Sequence, residues 1–259
     1  SFVSYCKEKL SSCSDHLKFI SRNCVVQSSP WGGKVCEVGS GNSKLLYRLE
    51  RENLLSEGVG IEISHSRFRF AEKFKEFVNS TKVKNLNSNV LEMKPFENFD
   101  LIMAVDIVFQ LISPVDDLAE EVFLKWARKS LKSTGFLVLE LWDLDNIKRQ
   151  LELFQNNLKI WEEFPSSDPW EFVLAEITAD SNKDIVWKKM FLKRGAAERS
   201  SFINILRPYS KAEITEILLK AGFAHVQIFD YWELPSRMQQ GEFIVVATPS
   251  GEHVPNASS

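Results

Sequence analysis

The stretch that most restricts the fold is Lys34-Val35-Cys36-Glu37-Val38-Gly39-Ser40-Gly41-Asn42-Ser43-Lys44. Val35, Cys36 and Val38 make an apolar run the length of a short buried strand. Gly39 and Gly41 break it. Ser43 to Glu50 then resumes at helical spacing, with Leu45, Leu46 and Leu49 on one face. Strand, glycine turn and helix in that order form the first unit of a doubly wound α/β sheet, where a ligand sits over the turn at the strand's carboxyl end. A turn without Cβ atoms lets the backbone approach that ligand. The free N–H groups at the helix start favour an anionic group.

A dinucleotide fingerprint needs a third small residue three positions after the second glycine, and Lys44 stands there. No Gly-Lys-Ser/Thr follows, which excludes a P-loop. What remains is Glu-x-Gly-x-Gly-Asn, with an acid at Glu37. In this form the segment resembles the first motif of the class I S-adenosylmethionine-dependent methyltransferases of small molecules. The resemblance implies a mostly parallel seven-stranded Rossmann-like sheet with helices on both faces, its last strand antiparallel. It also implies S-adenosylmethionine as cofactor, S-adenosylhomocysteine as product, and a cofactor site that includes Glu37, Gly39, Ser40, Gly41 and Asn42.

Residues 1–30 read as a helical lead-in with Tyr5, Leu10, Leu17 and Ile20 as a broken apolar stripe. From the residues alone this is a packing helix; in the resembling family such a lead-in covers cofactor and substrate, which would turn Tyr5 and His16 to the site. Trp31-Gly32-Gly33 is a turn. The α/β core is expected over 31–142 and 208–249. Gly58 to Ser64 is its second strand, and Glu62 falls 23 positions after Gly39, where a carboxylate can accept from both ribose hydroxyls. The resemblance sets Ile63 against adenine. Phe70, Phe74 and Phe77 form the inward ridge of the next helix, and Val83 to Leu86 the third strand.

Asn89 stands where the family usually carries an Asp that receives the adenine amino group, and its amide oxygen can still accept; the backbone of Val90 reads the same ring. Phe99 to Asp106 matches the family's entry into a buried parallel strand, a nearly continuous apolar run, and places Ala104 and Asp106 beside the reacting sulfur. Gln110 occupies a position where His is frequent in the family, so no imidazole base acts from it. Leu118 to Leu131 is an amphipathic helix. Lys132 to Gly135 turns it into a fifth strand, Phe136 to Leu141.

Residues 143–207 break the alternation and are expected to form a small β-rich cap around a hairpin, Phe172 to Thr178 and Ile185 to Lys193, joined by a polar turn. In the resembling family an insertion here covers the substrate. On that ground Tyr5, Gln110, Trp142, Trp170, Arg199, Arg207 and Tyr209 are substrate-binding candidates, and an arginine can hold a carboxylate through its paired donors. Asp106, Tyr209 and His16 are the candidates for taking the acceptor's proton.

Ser210 with Glu213 is a capping box, Gly222 ends that helix, and His225 to Tyr231 with Phe243 to Thr248 close the sheet. Residues 250–259 read as a frayed tail.

The balance of charge narrows the partners. Net charge is −3 over 259 residues, which argues against a nucleic-acid groove, since phosphate binding needs a concentrated basic face. Cys6, Cys13, Cys24 and Cys36 contain no Cys-x-x-Cys pair, so neither a disulfide framework nor a zinc site is expected and a reducing cytoplasm is. The apolar run Leu101 to Ile112 is too short to span a bilayer. The expected activity is methyl transfer to an oxygen, nitrogen or carboxylate of a small organic molecule. A cofactor-binding partner without turnover and a protein methyltransferase are the alternatives. The chain starts at Ser1, and the reading leaves open a homodimer or one domain of a larger enzyme.

Overall fold

The computed structural model describes residues 2–24, 32–96, 98–164, 166, 170–230 and 241–250. The order is α1 (Phe2–Ser11), α2 (Ser14–Asn23), β1 (Gly33–Val38), α3 (Lys44–Arg51), β2 (Leu55–Glu62), α4 (His65–Val78) and β3 (Val83–Asn87), then a 3-10 turn (Val90–Glu92). β4 (Phe99–Ala104), α5 (Val108–Ile112), α6 (Ala119–Ser130), β5 (Leu131–Trp142) and α7 (Asp145–Leu153) follow. The chain continues through β6 (Leu158–Glu163), β7 (Trp170–Ala179), β8 (Ile185–Lys193), β9 (Arg199–Leu206), α8 (Lys211–Lys220), β10 (His225–Phe229) and β11 (Glu242–Thr248).

Two sheets result. Seven strands run in the order β10-β11-β5-β4-β1-β2-β3, with β11 antiparallel to both of its neighbours and the other pairs parallel. The second sheet, β6-β7-β8-β9, is wholly antiparallel.

Strand alternation splits the large sheet's side chains between two cores. Val35, Leu101, Met103, Phe136, Val138, Ile244 and Val246 pack with Leu45, Leu46 and Leu49 of α3, Phe74 of α4, and Leu10, Leu17, Phe19 and Ile20 of α1 and α2. Cys36, Val38, Ile102, Ala104, Leu137, Leu139, Leu141 and Val245 pack on the opposite face with Phe123, Leu124 and Ala127 of α6 and Ile214 and Leu218 of α8. Each fully buried Leu or Phe stabilises the fold by about 1.5–3 kcal/mol. The face under α1–α4 is the one that carries the site.

Several expected boundaries move. The second strand begins at Leu55 rather than Gly58. Lys132 to Gly135 is not a turn but part of β5, where Leu131 pairs with Phe99 and Phe136 with Leu101 across a register shift. A Cβ on Gly135 would lie 2.9 Å from the Phe99 carbonyl oxygen, so the bulged segment passes too close for a side chain. The lead-in is two helices, and Tyr5 on its stripe stays 40% exposed at the surface instead of entering the core. The expected hairpin exists as β7 and β8, flanked by β6 and β9. The capping box on α8 forms, with Ser210 Oγ accepting from the Glu213 N–H and the Glu213 carboxylate from the Ser210 N–H.

Trp31 of the expected first turn, residues 25–30, Pro165, Asp168 and Pro169, Tyr231 and the tail from 251 lie outside the described residues. Among the described residues no helix is long and apolar enough to cross a membrane.

Candidate active site

Three strands change character at one end. On β1 the face that carries Val35 carries Glu37 next. On β5 Phe136 and Val138 are followed by Glu140, and on β11 Val246 and Ile244 are preceded by Glu242. The apolar floor beneath α1 and α2 therefore ends in a row of carboxylates. With Asp106 after β4 they line a cavity of about 450 Å³. Tyr5, Lys9, Cys13 and His16 of the lead-in line it too, as do the Gly39–Asn42 turn, Lys44, Arg67 and Phe70. Tyr5 reaches Asn42 at 3.5 Å and stacks edge-on against Phe70 at 5.4 Å, which ties the lead-in to both other walls.

The glycine turn alternates left-handed residues: φ is +66° at Gly39, +57° at Gly41 and +56° at Ser43. A Cβ on Gly39 would fall 2.4 Å from Val108 Cγ2, because the start of α5 closes on the turn, whereas Gly41 has nothing within 4 Å. Gly39 is thus demanded by packing, and Gly41 keeps the approach open. The Gly39 and Ser40 N–H groups both donate to the Ile61 carbonyl, at 2.8 and 3.1 Å. Glu62, buried at the end of β2, accepts from Gly41 N–H at 2.8 Å on one oxygen and from Ser64 N–H at 2.7 Å on the other. Turn and acid converge.

Glu37 is 3% exposed, and its Oε2 has no hydrogen-bond partner among the described residues. Burial pushes its carboxyl up to about 8; the Lys44 ammonium opposes this and the Glu62 charge adds to it.

Asp106 and Ile107 are consecutive left-handed residues, at φ +57° and +61°. That conformation is costly for a β-branched side chain and collects at functional sites. It is compensated twice. Ile107 is buried with Leu144, Leu151, Ile177, Ile185 and Leu206, and the Asp106 N–H donates to Glu140 Oε2 at 2.6 Å. The same oxygen lies 4.0 Å from His16 Nε2. Three elements distant in sequence thus bring an imidazole, a carboxylate and a strained aspartate to one wall.

Of the other expected cofactor residues, Ile63 is 70% exposed beside Glu62. Asn89 caps the 3-10 turn, its Oδ1 accepting from Leu91 N–H at 3.1 Å and its amide donating to Glu92 at 3.0 Å. Val90 and Ala104 are core residues.

Three residues expected to serve substrate binding or proton transfer are engaged in bonds within the fold. Gln110 is fully buried and structural: its amide donates to the Trp142 and Arg207 carbonyls at 3.1 and 3.2 Å, and its oxygen accepts from Trp142 N–H at 2.7 Å. Arg207 does not line this cavity and is paired through two nitrogens with buried Asp184, at 3.1 and 3.2 Å. Tyr209 stacks on Phe109 in the core and gives its hydroxyl to Glu120; burial first and then that bond raise its pKa, the reverse of what a base needs.

Arg199 is exposed at the start of β9. Trp142 at the end of β5 meets Trp187 at 5.8 Å and Trp170 meets Phe191 at 5.7 Å, and neither Trp142 nor Trp170 is on the cavity wall. Missed from the sequence were Glu140, Glu242, Lys9, Lys44 and Arg67. The available signal for Glu140 was an acid inside the apolar run Phe136 to Leu141.

Comparison with known proteins gives the fold a context. No protein-family model matches the chain. The carboxy-S-adenosyl-L-methionine synthase of Nautilia profundicola is 26% identical over 204 residues, 77% of this chain and 73% of that protein. Among solved structures, a S-adenosylmethionine-dependent methyltransferase from Clostridium acetobutylicum superposes with a TM-score of 0.74 at 14% identity, over 96% of this chain and 98% of the other. The CcbJ methyltransferase of Streptomyces caelestis gives 0.70 at 14% identity over 90% and 88%. The amino pentose methyltransferase CalS10 of Micromonospora echinaspora gives 0.62 at 12% over 96% and 92%. The chain has the fold of the S-adenosylmethionine-dependent methyltransferases, with the second sheet as a β-rich addition.

Proposed function

We propose that the chain moves the methyl group of S-adenosylmethionine to an oxygen, nitrogen or carboxylate of a small organic molecule. The observation that carries this is Glu37, a carboxylate oxygen buried without a partner beside an open glycine turn. A buried acid left unsatisfied costs stability, and a cationic ligand group at that oxygen removes the cost. The acidic row suits the cofactor, whose ammonium and sulfonium are both positive. The names of the Nautilia synthase and of the Clostridium enzyme include this cofactor or a derivative of it, and CalS10 was solved with S-adenosylmethionine bound.

When bound, the cofactor supplies a methyl group already activated on a sulfonium. The chain's residues then have four tasks. Glu37 takes the ammonium, and Gly39 to Asn42 receive the amino-acid end. Glu62, with lone pairs remaining beyond its two backbone bonds, holds the ribose; Ile63, Asn89 and Val90 border the base. Tyr5 and the lead-in cover the site and exclude water, which fixes acceptor and methyl in line. His16 takes the acceptor's proton, with the Glu140 carboxylate near its ring to favour the imidazolium that forms, and Asp106 held beside it by Glu140. The four free, buried cysteines suit a reducing cytoplasm, where we place the protein.

Titration calorimetry with S-adenosylmethionine, followed by transfer of a labelled methyl to a small-metabolite extract, tests the reading. Binding that is weakened at least tenfold in Glu37→Gln, with label passing to a small molecule, supports it. An absence of binding, or equal affinity in the variant, removes it.

A further inference from the structure

The face of the second sheet that looks toward the core carries a cation with no carboxylate partner among the described residues. Residues directly opposite one another on paired strands share a face. Lys189 on β8 stands opposite Ala175 of β7 and Phe202 of β9, and Ala175 stands opposite Ile160 of β6. Trp187 and Ile177 belong to the same face one row nearer the core, where they pack with Trp142, Leu144 and Ile107. One row outward, Phe191 contacts Phe202 at 5.7 Å and Phe164 at 6.1 Å. Lys189 thus sits in the middle of an aromatic and aliphatic wall, its Nζ 4.5 Å from the centre of the Trp187 ring.

Its neighbours show how unusual this is. Of the half-buried basic side chains between residues 143 and 207, Lys148, Arg194 and Arg207 have carboxylates at 2.8, 4.0 and 3.1 Å. Lys189 has none within 4.0 Å among the described residues. Burial lowers its pKa, and the charges of Asp106 and Glu162 oppose that fall. Trp187, beside Lys189 on this face, packs in the same cluster as Ile107, the residue that follows Asp106 of the cavity wall. Buried or half-buried cations are normally paired, and a ring face substitutes for a carboxylate only in part.

We infer that this face of the cap is the acceptor platform, and that Lys189 binds a carboxylate on an acceptor whose aromatic or apolar body lies along Trp187, Phe191 and Phe202. The inference rests on the methyl-transfer reading for its use, but its chemistry can be read by binding alone. A flat body satisfies the rings, and a charge-assisted hydrogen bond satisfies the ammonium. The acceptor class is therefore an aryl carboxylic acid that bears a separate hydroxyl or amine.

The test compares hydroxybenzoates, aminobenzoates and hydroxyphenylacetates with their primary amides, by calorimetry on the full chain, with and without saturating S-adenosylhomocysteine. We expect the acids to bind about tenfold or more tighter than the amides. Lys189→Met should abolish that preference and Lys189→Arg should retain it, with cofactor affinity unchanged in both. Equal binding of acid and amide by the wild type, including none of either, overturns the inference. So does a preference that survives in Lys189→Met. Loss of cofactor binding in the wild type would overturn the methyl-transfer reading instead, and the acid preference measured without cofactor would still decide the role of Lys189.

Discussion

Gln110 and Glu37 are buried alike, 0% and 3% exposed, at the same end of the same sheet, yet the fold treats them in opposite ways. Gln110 spends both of its amide atoms on Trp142 and Arg207. Glu37 keeps an oxygen with no partner and a carboxyl pushed up to about 8. A buried polar group that is fully satisfied holds structure together. One left unsatisfied lowers stability, and the usual reason for keeping it is a ligand. The junction between core and cap is scaffold, and the cavity under the lead-in is poised.

Removing Gln110 should produce the largest effect. Gln110→Leu leaves the Trp142 N–H and two carbonyls without partners in a closed interior, and should destabilise the chain by about 3–5 kcal/mol, read from urea unfolding. A loss under 1 kcal/mol would erase the contrast.

On the cavity side, Glu62→Ala frees the Gly41 and Ser64 N–H groups and removes a charge-assisted acceptor. Cofactor affinity should fall roughly 10- to 100-fold, while the unfolding midpoint moves less than in Gln110→Leu.

Glu37→Gln should separate stability from binding. A carboxyl whose folded pKa lies above its unfolded value contributes stability below the unfolded value near 4.5. That contribution is lost as pH rises toward about 8. The variant lacks this slope, so without ligand it should exceed the wild type by about 1–3 kcal/mol at pH 8. It should also bind the cofactor at least tenfold more weakly. Wild-type binding near pH 7 should release a proton, seen as a dependence of the calorimetric heat on buffer ionisation enthalpy. Absence of that dependence would show Glu37 already ionised.

The smallest effect should come from Tyr209→Phe, which deletes one hydroxyl bonded to Glu120. About 1 kcal/mol of stability and no change in methyl transfer are expected, and a large kinetic loss would return Tyr209 to the chemistry.

The sequence disclosed what local pattern encodes. Strand, glycine turn and helix around Gly39 and Gly41, the Glu62 spacing and the Ser210 capping box all depend on neighbours in the chain. Long-range bonds were invisible to it. Gln110 reads as a replaced histidine until Arg207, 97 residues later, is seen to share its amide. Glu140 hides in an apolar strand because alternation, not composition, brings it to the His16 side of the sheet. In β6 no residue is fully buried and in β9 only Leu206 is, so neither strand stands out in the sequence as the two runs joined by a polar turn did for β7 and β8. Lys189 was indistinguishable from Lys188 until their faces separated.

The link at Gln110 has a consequence for how such a chain can diversify. Trp142, the last residue of β5, and Arg207, just after β9, are gripped by one amide, so the excursion between them leaves and rejoins the core at a single point. The excursion also supports its own base: Leu144, Leu151, Ile177, Ile185 and Leu206 bury Ile107, and Asp184 holds Arg207. Any other four-stranded insert between these two anchors would have to rebuild the apolar cover over Ile107, or the left-handed pair Asp106–Ile107 at the cavity wall loses one of its two supports.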